Sequence, residues 1–327
     1  MGPPMKTLNK FDISNKKALL RLDLDVPLAG DRIIDDARLL NTLPTIEFVL
    51  KHSASAAIVG HLGRPMLNSK LETRGSKLKM EPIRRWYQEQ FPDSKLSVAE
   101  NLRFEAGEEA NDISFAENIV RRFQAQVYIF DAFATGHDRH ASIVQIPRLL
   151  PTVVGFRFQA EIEHLNLVLT NPKRPLVFII GGAKLDTKLP LVEKLAETAD
   201  EILAGGTLPL KLNPKDGKLI VAQLAQDGLD ITEESANLFA EKIRRAGTVV
   251  WNGPMGAYEK GAARGTEAVA KAMKETEAYT VIGGGDTEAA LSRFGGPEGI
   301  DWVSSGGGAM LSYLAYKTLP FLEALQD

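Results

Sequence analysis

Short continuous runs of apolar residues alternate along the chain with longer stretches in which apolar residues recur at helical spacing. The runs at 18–28, 56–65 and 125–134 are rich in Val, Ile, Leu and Ala, which is typical of buried strands. Between them, residues 39–52 and 112–124 place apolar side chains three and four positions apart, as a helix with one buried face does. Strands that alternate with helices predict a parallel sheet, because parallel strands need long crossover connections.

The same alternation begins again after a proline-punctuated stretch near the middle of the chain. Further strands are predicted at 174–184, 199–206, 248–254, 278–285 and 302–308, and further helices at 189–197, 233–245, 262–275 and 286–293. The predicted fold class is therefore α/β, with two doubly wound, Rossmann-like parallel-sheet domains at 1–157 and 174–327 joined by a hinge helix within 158–173. A closing helix at 309–325 has no strand after it, so it is free to pack back on the first domain.

The composition is that of an ordinary globular protein. The chain has 327 residues, 44% of them hydrophobic, and a formal net charge of −3, which argues against a disordered or nucleic-acid-binding protein. It contains no cysteine, which excludes disulfides and thiolate metal sites and fits the cytoplasm, the expected location. No apolar run approaches the roughly 18 residues that a membrane span needs, so no membrane partner is expected.

Several predicted strands of the second domain end in glycine-rich turns that open a helix. These turns are GGAKLDTK (181–188), GG (205–206), NGPMG (252–256), GGGDT (283–287) and SSGGGAM (304–310). Helix N-termini at the carboxyl edge of a parallel sheet offer unpaired N–H groups to anions, so the pattern predicts a phosphate-rich ligand. The alternative is that the glycines only end strands. The chain lacks both GxxxxGK[ST] and a GxGxxG in the first strand–helix turn, which disfavours P-loop nucleotidases and nicotinamide dehydrogenases.

Basic side chains collect at the predicted strand ends of the first domain. They are Arg21, Arg38, His61, Arg64, Arg103, His137, Arg139 and His140. If the strands are neighbours, these residues form a cationic concavity that suits a small phosphorylated carboxylate, because arginine forks match both groups bidentately. The alternative is that each arginine forms an ordinary surface ion pair.

Acidic residues and histidines in the same region leave further alternatives open. Asp23 and Asp25 are two apart on a predicted strand and share a face, so they form either a carboxylate pair for metal or acid–base chemistry or, as we favour, salt bridges with Arg21 and Arg38. The histidines of the cluster are possible zinc ligands. The surrounding arginines would repel a dication, which disfavours a zinc site.

Longer motifs occur in a fixed order along the chain. They are RLDLDVP, DDARLLNTLPTI, GHLGRP, ENLRFEAGEE, DAFATGHDRHAS, RPLVFIIGGAKLDTK, VVWNGPMGAYE, IGGGDTEAA, VSSGGGAML and LPFLEAL. In that order, and from end to end, they resemble the phosphoglycerate kinase family. The resemblance implies a two-domain cytoplasmic enzyme, a monomer with small-molecule partners, that transfers a phosphoryl group between 1,3-bisphosphoglycerate and ADP to give 3-phosphoglycerate and ATP with Mg²⁺.

The resemblance also implies roles for individual residues. Triose binding in the first domain falls to Arg21, Asp23, Asp25, His61, Arg64, Arg103, His137, Arg139 and His140. The transferring phosphoryl group is expected to meet Arg38, Lys184, Gly307 and Gly308. Nucleotide binding falls to Gly182, Ala183, Lys188, Gly205, Gly206, Gly228, Leu229, Asn252, Pro254, Glu259, Gly285, Asp286, Thr287 and Gly306, with Asp286 beside Mg²⁺.

The chain departs from the family pattern at four places. Asp25 stands where the family usually has asparagine, and Asp138 stands where it has arginine, with Arg139 one residue later. The stretch between Trp86 and Glu100 is shorter than usual, which removes about a strand and a helix from the edge of the first domain. The segment after Gly206 is also shorter, and this departure exposes nucleotide selectivity to change. These departures keep two alternatives open: a degenerate relative that binds nucleotide or a phosphorylated metabolite without efficient turnover, and an enzyme for another acyl phosphate.

Overall fold

A computed structural model describes residues 5–65, 78–183, 185–212 and 217–326, with Leu185 and Asp186 described by their backbone alone. Lys184 therefore lies outside the described residues. Internal contacts divide the chain into two compact units, Met1–Ile162 together with Thr318–Asp327, and Glu163–Lys317. Each unit has its own apolar core.

A parallel sheet forms the centre of the first unit. In the described part its strands are β1 (Lys17–Leu22), β4 (Ser55–Val59), β5 (Leu96–Val98), β6 (Val127–Asp131) and β7 (Thr152–Val154), and an antiparallel pair, β2 (Leu28–Ala29) and β3 (Arg32–Ile33), follows β1. The strand order is β5-β4-β1-β6-β7. The chain moves outward from β1 to β5 and then returns to β6 on the other side of β1. This reversal opens a crevice at the carboxyl ends of β1 and β6, where ligands bind in open parallel sheets.

Helices connect and follow these strands. They are α1 (Ala37–Leu40), α2 (Leu43–His52), α3 (Glu81–Gln90), α4 (Ala106–Glu109), α5 (Ile113–Phe123), α6 (Ala141–Val144), α7 (Ile146–Leu149) and α8 (Phe156–Thr170). The division between the two units falls within α8, between Ile162 and Glu163.

The second unit has a parallel sheet of the same kind. Its described strands are β8 (Leu176–Ile180), β9 (Glu201–Ala204), β10 (Leu219–Val221), β11 (Thr248–Asn252), β12 (Tyr279–Gly283) and β13 (Trp302–Ser304), in the order β10-β9-β8-β11-β12-β13. Its helices are α9 (Leu185–Leu195), α10 (Glu233–Arg245), α11 (Arg264–Glu275), α12 (Gly285–Arg293) and α13 (Gly307–Tyr316). The order reverses between β8 and β11, so the crevice of this unit lies at their carboxyl ends.

The α/β fold class with two parallel sheets is confirmed, and the element boundaries need correction. The predicted closing helix 309–325 is wrong, because α13 ends at Tyr316, the next residue Lys317 adopts a left-handed conformation, and a separate helix α14 (Pro320–Ala324) begins at Pro320. Proline lacks the N–H that a continued helix needs. Helix α14 belongs to the first unit. None of the described helices is long and apolar enough to cross a membrane.

Candidate active site

The cationic residues of the first unit meet at the carboxyl ends of β1, β4 and β6. Arg21 is fully buried on β1, and its guanidinium donates to Ser142 Oγ at 3.2 Å and to the Leu22 carbonyl at 2.5 Å. A third contact joins Arg21 Nη2 to His61 Nδ1 at 3.0 Å. All of these partners belong to the protein, so Arg21 organises the site from within rather than facing a ligand.

The contact with Arg21 fixes the protonation state of His61. A guanidinium can only donate, so His61 Nδ1 must accept, and the neutral ring then carries its proton on Nε2. Burial and the charge of Arg21 together hold the pKa of His61 well below its ordinary value. His61 is therefore a neutral hydrogen-bond donor through Nε2.

Asp23 is buried at the same edge. Burial raises the pKa of this carboxyl, and the charges of Arg38 and Arg21 oppose that rise. Asp23 Oδ2 accepts the Ala134 N–H at 2.8 Å, whereas Oδ1 is buried and has no hydrogen-bond partner in the described chain. Buried acceptors are normally satisfied, so Asp23 Oδ1 is an open acceptor for a ligand hydroxyl.

Asp25 contacts the loop that follows β4. Its Oδ1 accepts the Gly63 N–H at 2.8 Å, and its Oδ2 lies 3.9 Å from His61 Nε2. Neither aspartate forms an ion pair with Arg21 or Arg38 in the described structure, so the favoured salt-bridge interpretation of the two carboxylates is wrong.

Arg103 is buried and lies close to protein groups on each side of its guanidinium, although its Nε has no hydrogen-bond partner in the described chain. Its Nη1 donates to the Gly63 carbonyl at 3.0 Å, its Nε lies 3.3 Å from Glu109 Oε1, and its Nη2 lies 3.6 Å from Asp138 Oδ2. Burial lowers the pKa of Arg103, and Asp138 and Glu109 oppose that change. Two carboxylates therefore already face Arg103.

The segment that follows β6 carries two histidines with open nitrogens. The Nδ1 atoms of His137 and His140 are both buried and lack hydrogen-bond partners in the described residues. Burial lowers the pKa of His140 and the charge of Asp138 opposes this. Arg139 is directed elsewhere, because it donates to Glu323 of α14 at 2.8 Å, so the structure gives no support to a triose contact from Arg139.

Two arginines of the cluster remain available. Arg38, half-buried on α1, and Arg64, exposed beyond β4, have no hydrogen bond or ion pair among the residues described. The charge of Arg38 acts to lower the pKa of both Asp23 and His61. The crevice thus offers free cations, an open carboxylate acceptor and neutral histidines, which together fit a small anion that also carries a hydroxyl.

In the second unit the glycine-rich turns are joined through their backbones. Four N–H groups donate across the turns: Gly181 to Asn252 (2.9 Å), Gly182 to Pro254 (2.7 Å), Gly206 to Met255 (3.0 Å) and Ala257 to Leu229 (2.8 Å). The turns therefore form one continuous surface at the carboxyl ends of β8 and β11. The expected nucleotide contacts on the open side of this surface are Ala183, Gly228, Leu229, Glu259, Gly285 and Asp286, and Gly182 and Gly206 are half-buried. Of the two glycines expected to meet the transferring phosphoryl group, Gly308 is exposed and Gly307 is buried.

Other expected nucleotide contacts are buried beneath that surface. Asn252 Nδ2 donates to the Gly283 carbonyl at 2.6 Å, and Thr287 Oγ1 accepts the Gly253 N–H at 2.8 Å and donates to the Gly283 carbonyl at 3.0 Å. A Cβ on Gly307 would lie 2.3 Å from Asn252 Nδ2. The side chains of Asn252 and Thr287 therefore hold the turns together instead of facing a ligand. Gly205, Pro254 and Gly306 are buried as well.

Lys188 also helps to hold the glycine-rich turns together. Its Nζ donates to the Gly181 carbonyl and lies 3.5 Å from the Asn252 carbonyl, so the ammonium group bridges the turns after β8 and β11. Its charge lies beneath the surface where phosphates are expected.

The start of α13 and the start of α12 present complementary groups. The first backbone bond of α13 runs from the Met310 N–H to the Gly306 carbonyl, which leaves the N–H groups of Gly307 and Gly308 without intrahelical acceptors. Asp286, in the first turn of α12, is exposed and has no hydrogen bond or ion pair in the part described. The described residues hold no group of three or more potential metal ligands. A lone free carboxylate fits Mg²⁺ that is held mainly by nucleotide phosphates and water.

Sequence reasoning missed three residues that shape the first site. Glu108 is fully buried and accepts from the N–H and the hydroxyl of Ser142, at 2.9 and 2.5 Å, and Ser142 in turn accepts from Arg21. Glu109 faces Arg103. The acidic residues of FEAGEE are visible in the sequence. No sequence pattern, however, indicates that Glu108 is buried while the adjacent Glu109 is exposed.

The comparisons with known proteins all lead to one family. The family model for phosphoglycerate kinase matches residues 8–227 and 211–317. Phosphoglycerate kinases from Roseiflexus castenholzii and Moorella thermoacetica are each 34% identical to this chain, over 393 and 397 residues, with 98% of this chain and 99% of each relative covered. Because these alignments are longer than the 327-residue chain, the relatives contain residues within the aligned region that this chain lacks.

Solved structures agree with the sequence comparisons. The phosphoglycerate kinase of Coxiella burnetii superposes with a TM-score of 0.80 at 27% identity and covers 99% of both chains. The enzyme of Pyrococcus horikoshii superposes with a TM-score of 0.81 at 28% identity and covers 98% of both chains.

Proposed function

The chain belongs to the phosphoglycerate kinase family, and from this premise we propose how its two units share the reaction. It is a phosphotransferase that moves a phosphoryl group between 1,3-bisphosphoglycerate and ADP, giving 3-phosphoglycerate and ATP. The two substrates are assigned to their sites because the two crevices differ. The crevice of the first unit contains free cations, and that of the second unit contains helix N-termini and glycine-rich turns.

The first unit binds the glycerate. Arg38 and Arg64 attract its phosphate and carboxylate groups, and the buried Asp23 Oδ1 accepts its hydroxyl. His61 donates through Nε2 because Arg21 occupies Nδ1. Asp23 Oδ1 is buried and has no hydrogen-bond partner in the described chain, so a ligand hydroxyl would satisfy an acceptor that is otherwise unpaired.

The second unit binds ADP or ATP. Its open turns and the exposed Leu229 suit the base, and Gly307 and Gly308 direct N–H groups to the phosphates. Lys184, which lies outside the described residues, keeps the phosphate-binding role that the family resemblance implies. We propose that Asp286 holds Mg²⁺, which neutralises charge on the nucleotide phosphates when bound.

Phosphoryl transfer needs no protein nucleophile. In the ATP-forming direction an oxygen of the ADP β-phosphate attacks the acyl phosphorus, the bond from phosphorus to the carboxyl oxygen breaks, and the electron pair leaves with the carboxylate. The transition state is loose and spreads negative charge over the equatorial oxygens. Arg38 and the N–H groups of Gly307 and Gly308 stabilise that charge. Because donor and acceptor bind to different units, transfer requires the units to bring them together and to exclude water that would hydrolyse the acyl phosphate.

Kinetics of Arg38→Ala test this proposal. A coupled assay with 3-phosphoglycerate and MgATP should show turnover of the wild type, and Arg38→Ala should reduce kcat by about 10³-fold or more, as loss of an arginine that faces a transferring phosphoryl group does. KM for ATP should stay nearly constant, because Arg38 belongs to the other unit. Arg32→Ala, an exposed arginine on β3, is the matched control and should match the wild type. Unchanged kcat in Arg38→Ala would remove Arg38 from the mechanism.

Location and assembly follow from the family as proposals. We propose a cytoplasmic monomer whose partners are its small-molecule substrates. Sedimentation analysis at working concentration tests the monomer. The alternative of a degenerate binding protein has no observation in its favour.

A further inference from the structure

We propose that Asp138 is an internal counter-anion of the triose site, which occupies Arg103 in the absence of ligand and lowers the affinity of the crevice for anionic substrates. The inference rests on the proposed function for the identity of the ligand. It concerns a carboxylate that has no role in the transfer described above.

Asp138 sits among three side chains that carry or accept positive charge. Its Oδ2 lies 3.6 Å from Arg103 Nη2 and 3.9 Å from His140 Nδ1, and its Oδ1 lies 3.8 Å from His137 Nε2. Arg103 lies in the turn after β5, and the two histidines lie in the segment after β6 that also carries Asp138. A single carboxylate therefore faces three basic side chains of the cationic crevice.

The contacts of Asp138 are those of a displaceable group. All three distances exceed the range of direct hydrogen bonds, so the charge of Arg103 attracts the carboxylate without a direct hydrogen bond to fix its position. The Asp138 side chain is 29% exposed, whereas that of Arg103 is 6% exposed. Asp138 is thus the more solvent-accessible member of this pair.

Asp138 opposes the binding of an anion to Arg103. The Nη1 of Arg103 is held by the Gly63 carbonyl, and its Nε lies 3.3 Å from Glu109 but has no hydrogen-bond partner in the described chain. Asp138 faces the Nη2 end of the fork. An anion must move Asp138 away from Nη2 or bind against its charge. Either course costs affinity, and neither changes the chemistry at the transferring phosphorus.

Removal of this charge should therefore strengthen anion binding without changing the rate of transfer. Asp138→Asn should lower the Kd of 3-phosphoglycerate and of inorganic phosphate by about fivefold, the effect of one partly exposed ion pair. It should lower KM for 3-phosphoglycerate to the same extent and leave kcat within about twofold. Asp138→Glu restores the carboxylate and should return both constants toward the wild type.

Calorimetric titrations with 3-phosphoglycerate and, separately, with inorganic phosphate measure these effects. The matched control is Glu323→Gln, which removes one negative charge from the neighbouring Arg139 pair but none from the cluster. At physiological ionic strength a change of charge outside the crevice is largely screened, so this control should bind both anions as the wild type does. Thermal melting of each variant verifies that it folds.

The outcomes separate this inference from the proposed function. If Asp138→Asn binds phosphate more tightly but the wild type shows no kinase turnover, the role of Asp138 as a counter-anion stands and the kinase assignment is rejected. Normal turnover with unchanged or weaker binding of both anions in folded Asp138→Asn would reject the counter-anion and retain the assignment. If Glu323→Gln binds both anions as tightly as Asp138→Asn does, the effect comes from the net charge of the protein, and the specific role of Asp138 is wrong.

Discussion

Asp131 makes a pH-dependent contribution to stability that the structure allows to be calculated. It lies at the end of β6, fully buried, where Oδ1 accepts the Phe158 N–H and Oδ2 accepts the Thr45 hydroxyl, both at 2.6 Å. Burial raises the pKa of Asp131 to about 7, and the charge of the nearby Asp23 contributes to this rise. The two hydrogen bonds act in the opposite direction and lower the pKa. Asp131 therefore anchors the start of α8 with a carboxyl that favours its neutral form.

The sign and size of the effect follow from the shift. An ordinary aspartate in the unfolded chain has a pKa of 3.8, so between that value and about 7 the folded state binds more protons. The free energy of unfolding must then fall as pH rises through this window. A shift of about three units corresponds to about 4 kcal/mol. Asp131→Asn carries no titrating group and should lack this loss.

Urea unfolding of wild type and Asp131→Asn at several pH values measures the effect. Relative to Asp131→Asn, the wild type should lose about 4 kcal/mol of stability between about pH 4 and about pH 8. Asp12→Asn is the control, because Asp12 is fully exposed and its pKa is lowered rather than raised, so its removal cannot reproduce this loss. Parallel pH profiles for wild type and Asp131→Asn would refute the reasoning.

Two further substitutions test the packing of each unit. Gly307→Ala would place Cβ 2.3 Å from Asn252 Nδ2 and 2.7 Å from the Gly284 Cα, so ATP binding measured by calorimetry should weaken at least about tenfold. The control Gly217→Ala has open space at its Cβ and should bind ATP normally. Normal ATP binding by Gly307→Ala would contradict the close packing of the turns. Phe321→Ala removes a buried ring stacked 3.8 Å from Phe130 and should lower the free energy of unfolding by about 3–5 kcal/mol in urea, and a loss under about 1 kcal/mol would show that α14 does not stabilise the first unit.

Hydrophobic periodicity predicted the fold because parallel strands are buried on both faces. Strand β1 shows this directly, since all its residues except Lys17 are buried. Helix α10 matched its predicted bounds because Thr232 caps the Ser235 N–H and charged residues of the right sign occupy both ends. Strand β10 was missed, since its three residues are half-buried at a sheet edge and carry no periodic signal.

The site was predictable by position but not by the state of each side chain. The strand ends predicted Arg21 and His61 as neighbours, because parallel strands end at one edge, and the structure joins their side chains at 3.0 Å. Which of the arginines is free depends on residues distant in sequence, since Ser142 engages Arg21 and Asp138 engages Arg103. Sequence spacing carries no information on such pairings across the fold.

Trapping of the acyl phosphate tests the central claim most directly. Wild-type protein is incubated with 3-phosphoglycerate, MgATP and hydroxylamine, which converts an acyl phosphate into a stable hydroxamate and free phosphate. Transfer to the glycerate carboxylate predicts hydroxamate in equal amount to ADP, and none without 3-phosphoglycerate. Release of ADP and phosphate without hydroxamate, or no ADP at all, would contradict the assignment of this chain as an active phosphoglycerate kinase.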